Sequence, residues 1–197
     1  MKRDSPSNAL MADICGYTYR VCHVRENAPH DFIFVYNTFC SDLHVTLPFD
    51  EFTMGILQIL NVASTQLHPN SWATLQPFRI ICDIFKILPM LQSFLFYYNS
   101  RPSTPMSWLS LSSPSRSIRF APYTTSYKNF KEKYFKIFVE LDGRPYFYDT
   151  DGRTKFHFHW TQTPTRIVSW LRPSLTTRDR EIFVVLDHLL SYLLGSW

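Results

Sequence analysis

The stretch Leu47-Pro-Phe-Asp-Glu-Phe-Thr-Met-Gly-Ile-Leu-Gln-Ile-Leu-Asn61 carries a helix with its own start signal. Asp50 can accept a hydrogen bond from the free amides of a first turn. Phe52, Ile56, Ile59 and Leu60 then share one helical face, and the helix is expected to end near Asn61. Downstream, His68-Pro-Asn-Ser-Trp72 opens a second helix, with Asn70 or Ser71 as its expected cap. There Phe78, Ile81, Cys82 and Phe85 make one apolar stripe, and Ile80, Ile84 and Ile87 make another. A helix apolar on two faces belongs between other elements. Pro77 sits awkwardly in this pattern, because proline inside a helix costs about 3 kcal/mol. The helix is therefore expected to start later or to kink there, and Pro89 to end it.

Working outward, residues 1–16 read as a weakly ordered lead-in. Tyr17 to Arg25 alternates like a strand, Pro29 marks a turn, and Phe32 to Tyr36 is a short apolar strand. Beyond Leu91 to Tyr98, Asn99 to Pro105 reads as a loop. Strand-like pieces follow at Met106 to Leu111, Ser117 to Phe120 and Tyr134 to Leu141, with a short basic helical turn over 125–133. Asp142-Gly-Arg-Pro145 and Asp149-Thr-Asp-Gly152 are turn signals, and Phe156 to Thr161 reads as a further strand. Short strands joined by tight turns suggest an antiparallel meander. Thr176 opens a last helix, striped by Ile182, Val185, Leu186, Leu189, Leu190 and Leu193. The expected class is α+β: N-terminal helices packed on a small antiparallel sheet, with a C-terminal amphipathic helix. The organisation that follows is a lead-in over 1–31, one domain over 32–172 and the last helix over 173–197.

Composition narrows the function. At 45% hydrophobic and 18% charged, the 197-residue chain can build a core, and its 17 Phe and 11 Tyr make that core rich in rings. Only five glycines are present, so neither the dinucleotide fingerprint nor the P-loop can be written. There is no G-x-S-x-G elbow and no H-E-x-x-H helix. Cys15, Cys22, Cys40 and Cys82 form no C-x-x-C pair, and Met1 to Asn8 lacks the apolar run of a secretory signal. Reduced thiols in an intracellular protein, nuclear or cytoplasmic, are expected. The apolar runs Ile80 to Tyr98 and Ile182 to Leu194 are broken by charge or too short for a membrane span.

Candidate reaction centres are thin. Asp149 and Asp151 resemble the opening of a calcium loop, but its twelfth position is Trp160, where a bidentate Glu is required. His157 and His159 would share one strand face without a placeable third ligand. Two-metal nucleases need convergent carboxylates. Asp142, Asp149 and Asp151 sit in turns, and Asp83 and Asp187 lie beside apolar helix stripes. No catalytic residue, metal, cofactor or small-molecule substrate is assigned, and the chain is expected not to be an enzyme.

Charge is unevenly placed. Arg101, Arg116, Arg119, Lys128, Lys131, Lys133 and Lys136 face one acid, Glu132, within 101–136, so the overall +4 belongs to that segment. From Arg116 on, the cations alternate with Phe120, Tyr123, Tyr127, Phe130 and Tyr134. Cations neutralise phosphates and rings stack on unpaired bases. The candidate nucleic-acid-binding residues are therefore Arg116, Arg119, Lys128, Lys131, Lys133, Lys136, Tyr127 and Phe130. The same alternation also describes a solvated face whose rings point into the core.

Several strings carry a resemblance when taken in order. They are Thr46-Leu-Pro-Phe49, Leu60-Asn-Val-Ala63, Gln66-Leu-His-Pro-Asn-Ser-Trp-Ala73 and Tyr98-Asn-Ser-Arg-Pro102. Further along come Ser126-Tyr-Lys-Asn-Phe-Lys131, Tyr134-Phe-Lys136, and Trp160-Thr161 followed by Pro164-Thr-Arg166. With them the chain resembles, from about Phe32 to Asp187, the plant gypsy-type transposon (transposase-like) domain of the gag-like region of retrotransposon polyproteins. The resemblance brings no catalytic residue. A gag-like role implies self-association and contact with element RNA. Pro77 departs from the family's helix-compatible residue, and relatives continue past the position of Trp197 into a longer polyprotein. A degenerate genomic fragment without a present function is a reading this departure leaves open. Three readings follow: a non-catalytic, retrotransposon-derived interaction protein; a sequence-tolerant RNA- or DNA-binding module; and a metal-dependent nuclease or transposase.

Overall fold

The computed structural model describes residues 10–15, 31–103, 108–112, 127 and 129–168, with positions 177, 180, 183–185 and 188. In chain order the elements are β1 (Leu10–Cys15), β2 (Phe32–Tyr36), α1 (Asn37–Ser41), α2 (Glu51–Leu60), α3 (Pro69–Ile84) and α4 (Leu91–Tyr97). β3 (Asn99–Ser103), β4 (Trp108–Ser112), β5 (Tyr134–Val139) and α5 (Arg144–Phe147) follow. The class is α+β, with helices against two small antiparallel sheets. Positions 177, 180, 183–185 and 188 of the expected last helix are helical.

Local signals place α2 where the sequence puts it. The Asp50 carboxylate accepts from the Thr53 amide at 2.8 Å. Asn61 ends the helix in the left-handed conformation, at φ 56°, which asparagine tolerates better than most residues. α3 differs at both ends from the expectation. Its cap is His68, whose ring Nδ1 accepts from the Asn70 amide at 3.2 Å, with Pro69 in the first turn. Proline is pre-organised there because that turn's amides lack intrahelical partners. The helix runs on through Pro77 and stops at Ile84, well before Pro89. Left-handed Lys86 (φ 54°) turns the chain, and the Ile87 amide closes on the Cys82 carbonyl at 2.8 Å.

Long-range pairing departs most from the expected meander. β5 is the central strand of an antiparallel sheet ordered β1-β5-β2, so its partners lie far away in sequence. Leu10 pairs with Val139 and Cys15 with Tyr134; Phe32 pairs with Phe138 and Tyr36 with Tyr134. β1 thus falls within the stretch read as a lead-in. Asn99–Ser103, read as a loop, is strand β3 in a hairpin with β4, Pro102 opposite Leu109. A two-stranded sheet has an edge on which proline costs no ladder bond. Phe156 to Thr161 forms no strand; it makes one bridge, His157 to Ala63. Tyr17 to Arg25 and Ser117 to Phe120 lie outside the described residues.

Rings fill the core. Trp72 is fully buried between Phe39 (4.9 Å between ring centroids) and Phe49 (5.3 Å), and its indole N–H donates to the Ser64 carbonyl at 3.1 Å. Phe52, Phe78 and Phe94 form a second cluster where α2, α3 and α4 meet. Gly55 allows that approach: a Cβ there would lie 2.9 Å from a Leu91 methyl. Phe183 is buried against Phe96 and Tyr97.

A polar seam stitches residues 160–167 to this core. The fully buried Gln66 side chain donates to the Thr161 carbonyl at 2.8 Å and accepts from the Thr161 amide at 3.0 Å. The Asn61 side chain donates to the Thr163 carbonyl at 2.7 Å. Buried Ser100 donates to the Thr165 carbonyl at 2.7 Å and accepts from the Ile167 amide at 2.6 Å. The Gln66 and Ser100 side chains are buried with their polar atoms satisfied. Within 156–161 the Thr161 amide and carbonyl are thus taken by a side chain and not by a strand partner. No helix among the described residues is long and apolar enough to cross a membrane.

Candidate nucleic-acid interface

The basic segment enters the structure at a 3₁₀ turn, Phe130–Glu132, which follows left-handed Asn129 (φ 59°). The turn presents the half-buried Phe130 ring to three others. Tyr36 lies 5.2 Å away, His68 5.4 Å and Trp108 5.5 Å, each steeply inclined to it. Edge-to-face contact is the geometry ring quadrupoles favour. Trp108, itself half-buried, meets Trp160 at 4.8 Å and lies near-parallel to Tyr36 at 6.3 Å. The exposed Lys131 ammonium sits 4.7 Å over the Trp108 ring and 5.6 Å from that of Phe130. A cation over an indole face is attracted by the ring's negative quadrupole.

Two backbone ties assemble this cluster. Leu67 bridges Leu109 in parallel, and the His68 amide donates to the Leu109 carbonyl at 2.9 Å. They carry the His68 ring to Trp108 at 6.2 Å. The Ser71 hydroxyl accepts from the Leu111 amide at 2.8 Å, so α3 fixes β4 from both sides of its cap. Burial holds the His68 imidazole below its ordinary pKa, and the Lys131 charge pushes the same way. A neutral ring is also what the cap needs, because Nδ1 must accept.

The remaining candidates separate. Lys133 is exposed, and its carbonyl accepts from the Asn37 amide at 3.0 Å. Lys136 is half-buried and lies over Phe32 at 4.1 Å and Phe138 at 5.2 Å, leaning toward the end of the sheet away from Phe130. Its aliphatic stem covers rings while its head reaches out. Tyr127 is half-buried against the core. Arg116, Arg119 and Lys128 lie outside the described residues. Lys131 and Phe130 are therefore brought together, and Lys136 stands apart from them. Trp108, His68 and Trp160 complete the cluster, and no spacing in the sequence links them to the basic segment.

The groups weighed for other chemistry are used structurally. The Asp149 carboxylate accepts from the amides of Asp151 (2.9 Å) and Arg153 (2.8 Å), and Gly152 takes φ +75°. This is a self-capped turn. His157 is exposed, and half-buried His159 packs edge-on to Phe32 at 5.1 Å. Among the described residues no three His, Cys, Asp or Glu side chains converge as metal ligands would. Cys82 is a buried free thiol, pushed up to about 11 by burial; Cys40, also free, is raised for the same reason. Such thiols stay protonated at neutral pH and are poor nucleophiles. The Tyr148 hydroxyl donates to the Asp31 carboxylate, with the Arg144 guanidinium 4.0 Å over the tyrosine ring. Burial, with Asp31 adding to it, pushes Tyr148 up to about 12. This clasp ties α5 to the start of β2.

Comparison with known proteins adds one match. The profile of a family described as "Putative gypsy type transposon" fits residues 33–102. That span runs from β2 through β3, about a third of the chain. It contains the Gln66–Ala73 string and the strings on either side of it; the strings from Ser126 onward lie beyond it. No curated protein and no solved structure matches the chain.

Proposed function

From a chain that carries a gypsy-type transposon-related domain over residues 33–102, we propose a transposon-derived, non-catalytic interaction protein of gag-like type that binds single-stranded nucleic acid through the face around Lys131. The observation that carries the reading is the Lys131 ammonium held over Trp108, beside the half-buried rings of Phe130 and Trp160. Single strands are gripped by cations that track phosphates and by rings that accept any base face. Lys133, exposed two residues on, extends the charge. Sequence-tolerant RNA or DNA is the ligand this chemistry suits, because stacking and charge do not read base edges.

The test is a salt titration of binding to a mixed-sequence single-stranded oligonucleotide. Wild type is compared with Lys131→Ala, Lys133→Ala and the double variant. Each phosphate-contacting lysine removed lowers the slope of log affinity against log salt by about 0.7. Affinity and slope equal to wild type in the double variant reject the reading. Metal-stimulated cleavage of the oligonucleotide, lost on changing Asp149 and Asp151, would favour the nuclease reading instead.

A further inference from the structure

Four Ser-Pro or Thr-Pro dipeptides occur in the sequence, beginning at Ser5, Thr104, Ser113 and Thr163. Two of them, Ser113-Pro-Ser-Arg116 and Thr163-Pro-Thr-Arg166, also place an arginine three residues after the hydroxyl. Proline-directed protein kinases with an anionic subsite accept that combination. Proline brings no backbone N–H that would need an acceptor, and the arginine pairs with the subsite. Each pattern follows closely on a tryptophan of the candidate interface, Trp108 or Trp160. Ser113 lies outside the described residues, and Thr163 lies within them.

Thr163 is exposed, and residues 162–168 belong to no helix or strand. The residues around it nevertheless close the C-terminal end of α2. The Thr165 amide donates to the Leu60 carbonyl at 2.8 Å, and the Thr161 hydroxyl donates to the Asn61 carbonyl. The Asn61 side-chain amide donates to the Thr163 carbonyl at 2.7 Å and lies 3.4 Å from the Thr163 hydroxyl. The last carbonyls of a helix carry its negative partial charge. The same segment carries Trp160, whose indole N–H donates to the Thr65 hydroxyl at 3.0 Å and whose ring meets Trp108 at 4.8 Å.

We infer that Thr163 is a phosphorylation site whose phosphate opens this seam. Within the kinase the threonine oxygen attacks the γ-phosphorus of ATP, and the bond from that phosphorus to the β-phosphate oxygen breaks. ADP leaves, and the hydroxyl proton passes to the kinase's catalytic carboxylate. Thr163 gains a charge of about −2 at neutral pH. That charge stands against the negative end of α2, where added negative charge disrupts. Its oxygens also compete with the Thr163 carbonyl for the Asn61 amide. The seam from Thr161 to Ile167 loosens, and Trp160 loses its fixed place against Trp108. Resting on the nucleic-acid reading proposed above, the modification therefore weakens the grip on a single strand.

The test treats the folded full chain with a cyclin-dependent kinase and ATP, in a Ser113→Ala background so that the effect belongs to Thr163. Sites are mapped by mass spectrometry, and the double variant with Thr163→Val is treated alike. Phosphate is expected on Thr163. Exchange of the Thr161, Thr165 and Ile167 amides, read by NMR, should then speed up by about tenfold or more. Affinity for a mixed-sequence single-stranded oligonucleotide should fall by about tenfold or more, and the Thr163→Val chain should show neither change. A folded chain left unmodified at Thr163 overturns the inference. So does phosphothreonine with exchange at those amides unchanged, and equal affinity of the two forms overturns the coupling to binding. Failure of the nucleic-acid reading itself looks different: the untreated chain then does not bind the oligonucleotide, while phosphate incorporation and amide exchange still decide the site.

Discussion

Two regions of this molecule look equally distinctive in sequence and do opposite work. Gln66 to Ala73 is buried or tied down along its whole length apart from Asn70: Gln66 holds the seam, His68 caps α3, Ser71 fastens β4 and Trp72 fills the core. Phe130 to Lys136 instead sets Lys131 and Lys136 over ring faces, with Lys131 and Lys133 exposed. A specific string of residues can thus record the demands of folding alone. The composition that suggests binding lies in a different stretch, and His68 touches both.

That contrast gives graded expectations. Trp72→Ala should have the largest effect, about 3–5 kcal/mol of lost stability, because it opens a ring-lined cavity and strands the Ser64 carbonyl. Denaturant unfolding measures it; a loss below about 1 kcal/mol would mean that the string is not the keystone described. Gln66→Ala should cost about 1–3 kcal/mol, since the half-buried Thr161 amide and carbonyl lose their partners together. The same unfolding experiment should show Lys131→Ala within about 0.5 kcal/mol of wild type, although that residue governs binding in the proposed reading.

The smallest effect is a pH dependence from His68. Its folded pKa is lowered from the ordinary 6.5 by burial and by Lys131. Above pH 6.5 both states are neutral there and stability is flat. As pH falls below 6.5 the unfolded chain takes up a proton that the folded chain resists, so stability drops until the lowered folded value is passed. His68→Asn keeps a capping acceptor without an ionisable ring. It should remove that part of the pH slope, as read from melting temperatures between pH 7.5 and about 5. An unchanged slope would show that the cap is not a neutral imidazole.

What was legible in the sequence follows from the range of the forces. Asp50 and Asn61 are local signals, and α2 begins and ends where they place it. His68 was missed as a cap because a ring nitrogen rarely serves as one; Asn70 and Ser71 looked better suited. The β1-β5-β2 sheet was not legible, because pairing Leu10 with Val139 depends on the path of the whole chain rather than on either strand. Phe156 and Phe158 are buried and His157 between them is exposed, although the segment forms no strand. The alternation of this segment gave no sign that the Gln66 side chain, rather than a neighbouring strand, takes the Thr161 backbone groups. At the candidate interface Lys131 and Phe130 were visible as composition. Trp108 and Trp160 were not, since only the Leu67–Leu109 bridge and the seam bring them there.

Photo-crosslinking of a saturating single-stranded oligonucleotide, mapped by mass spectrometry, tests most directly whether scaffold and recognition are separate. Adducts are expected on Trp108, Phe130, Trp160 or His68, with none on Gln66 or on Ser71 to Ala73. Adducts confined to other parts of the chain, or none at saturation, would contradict it.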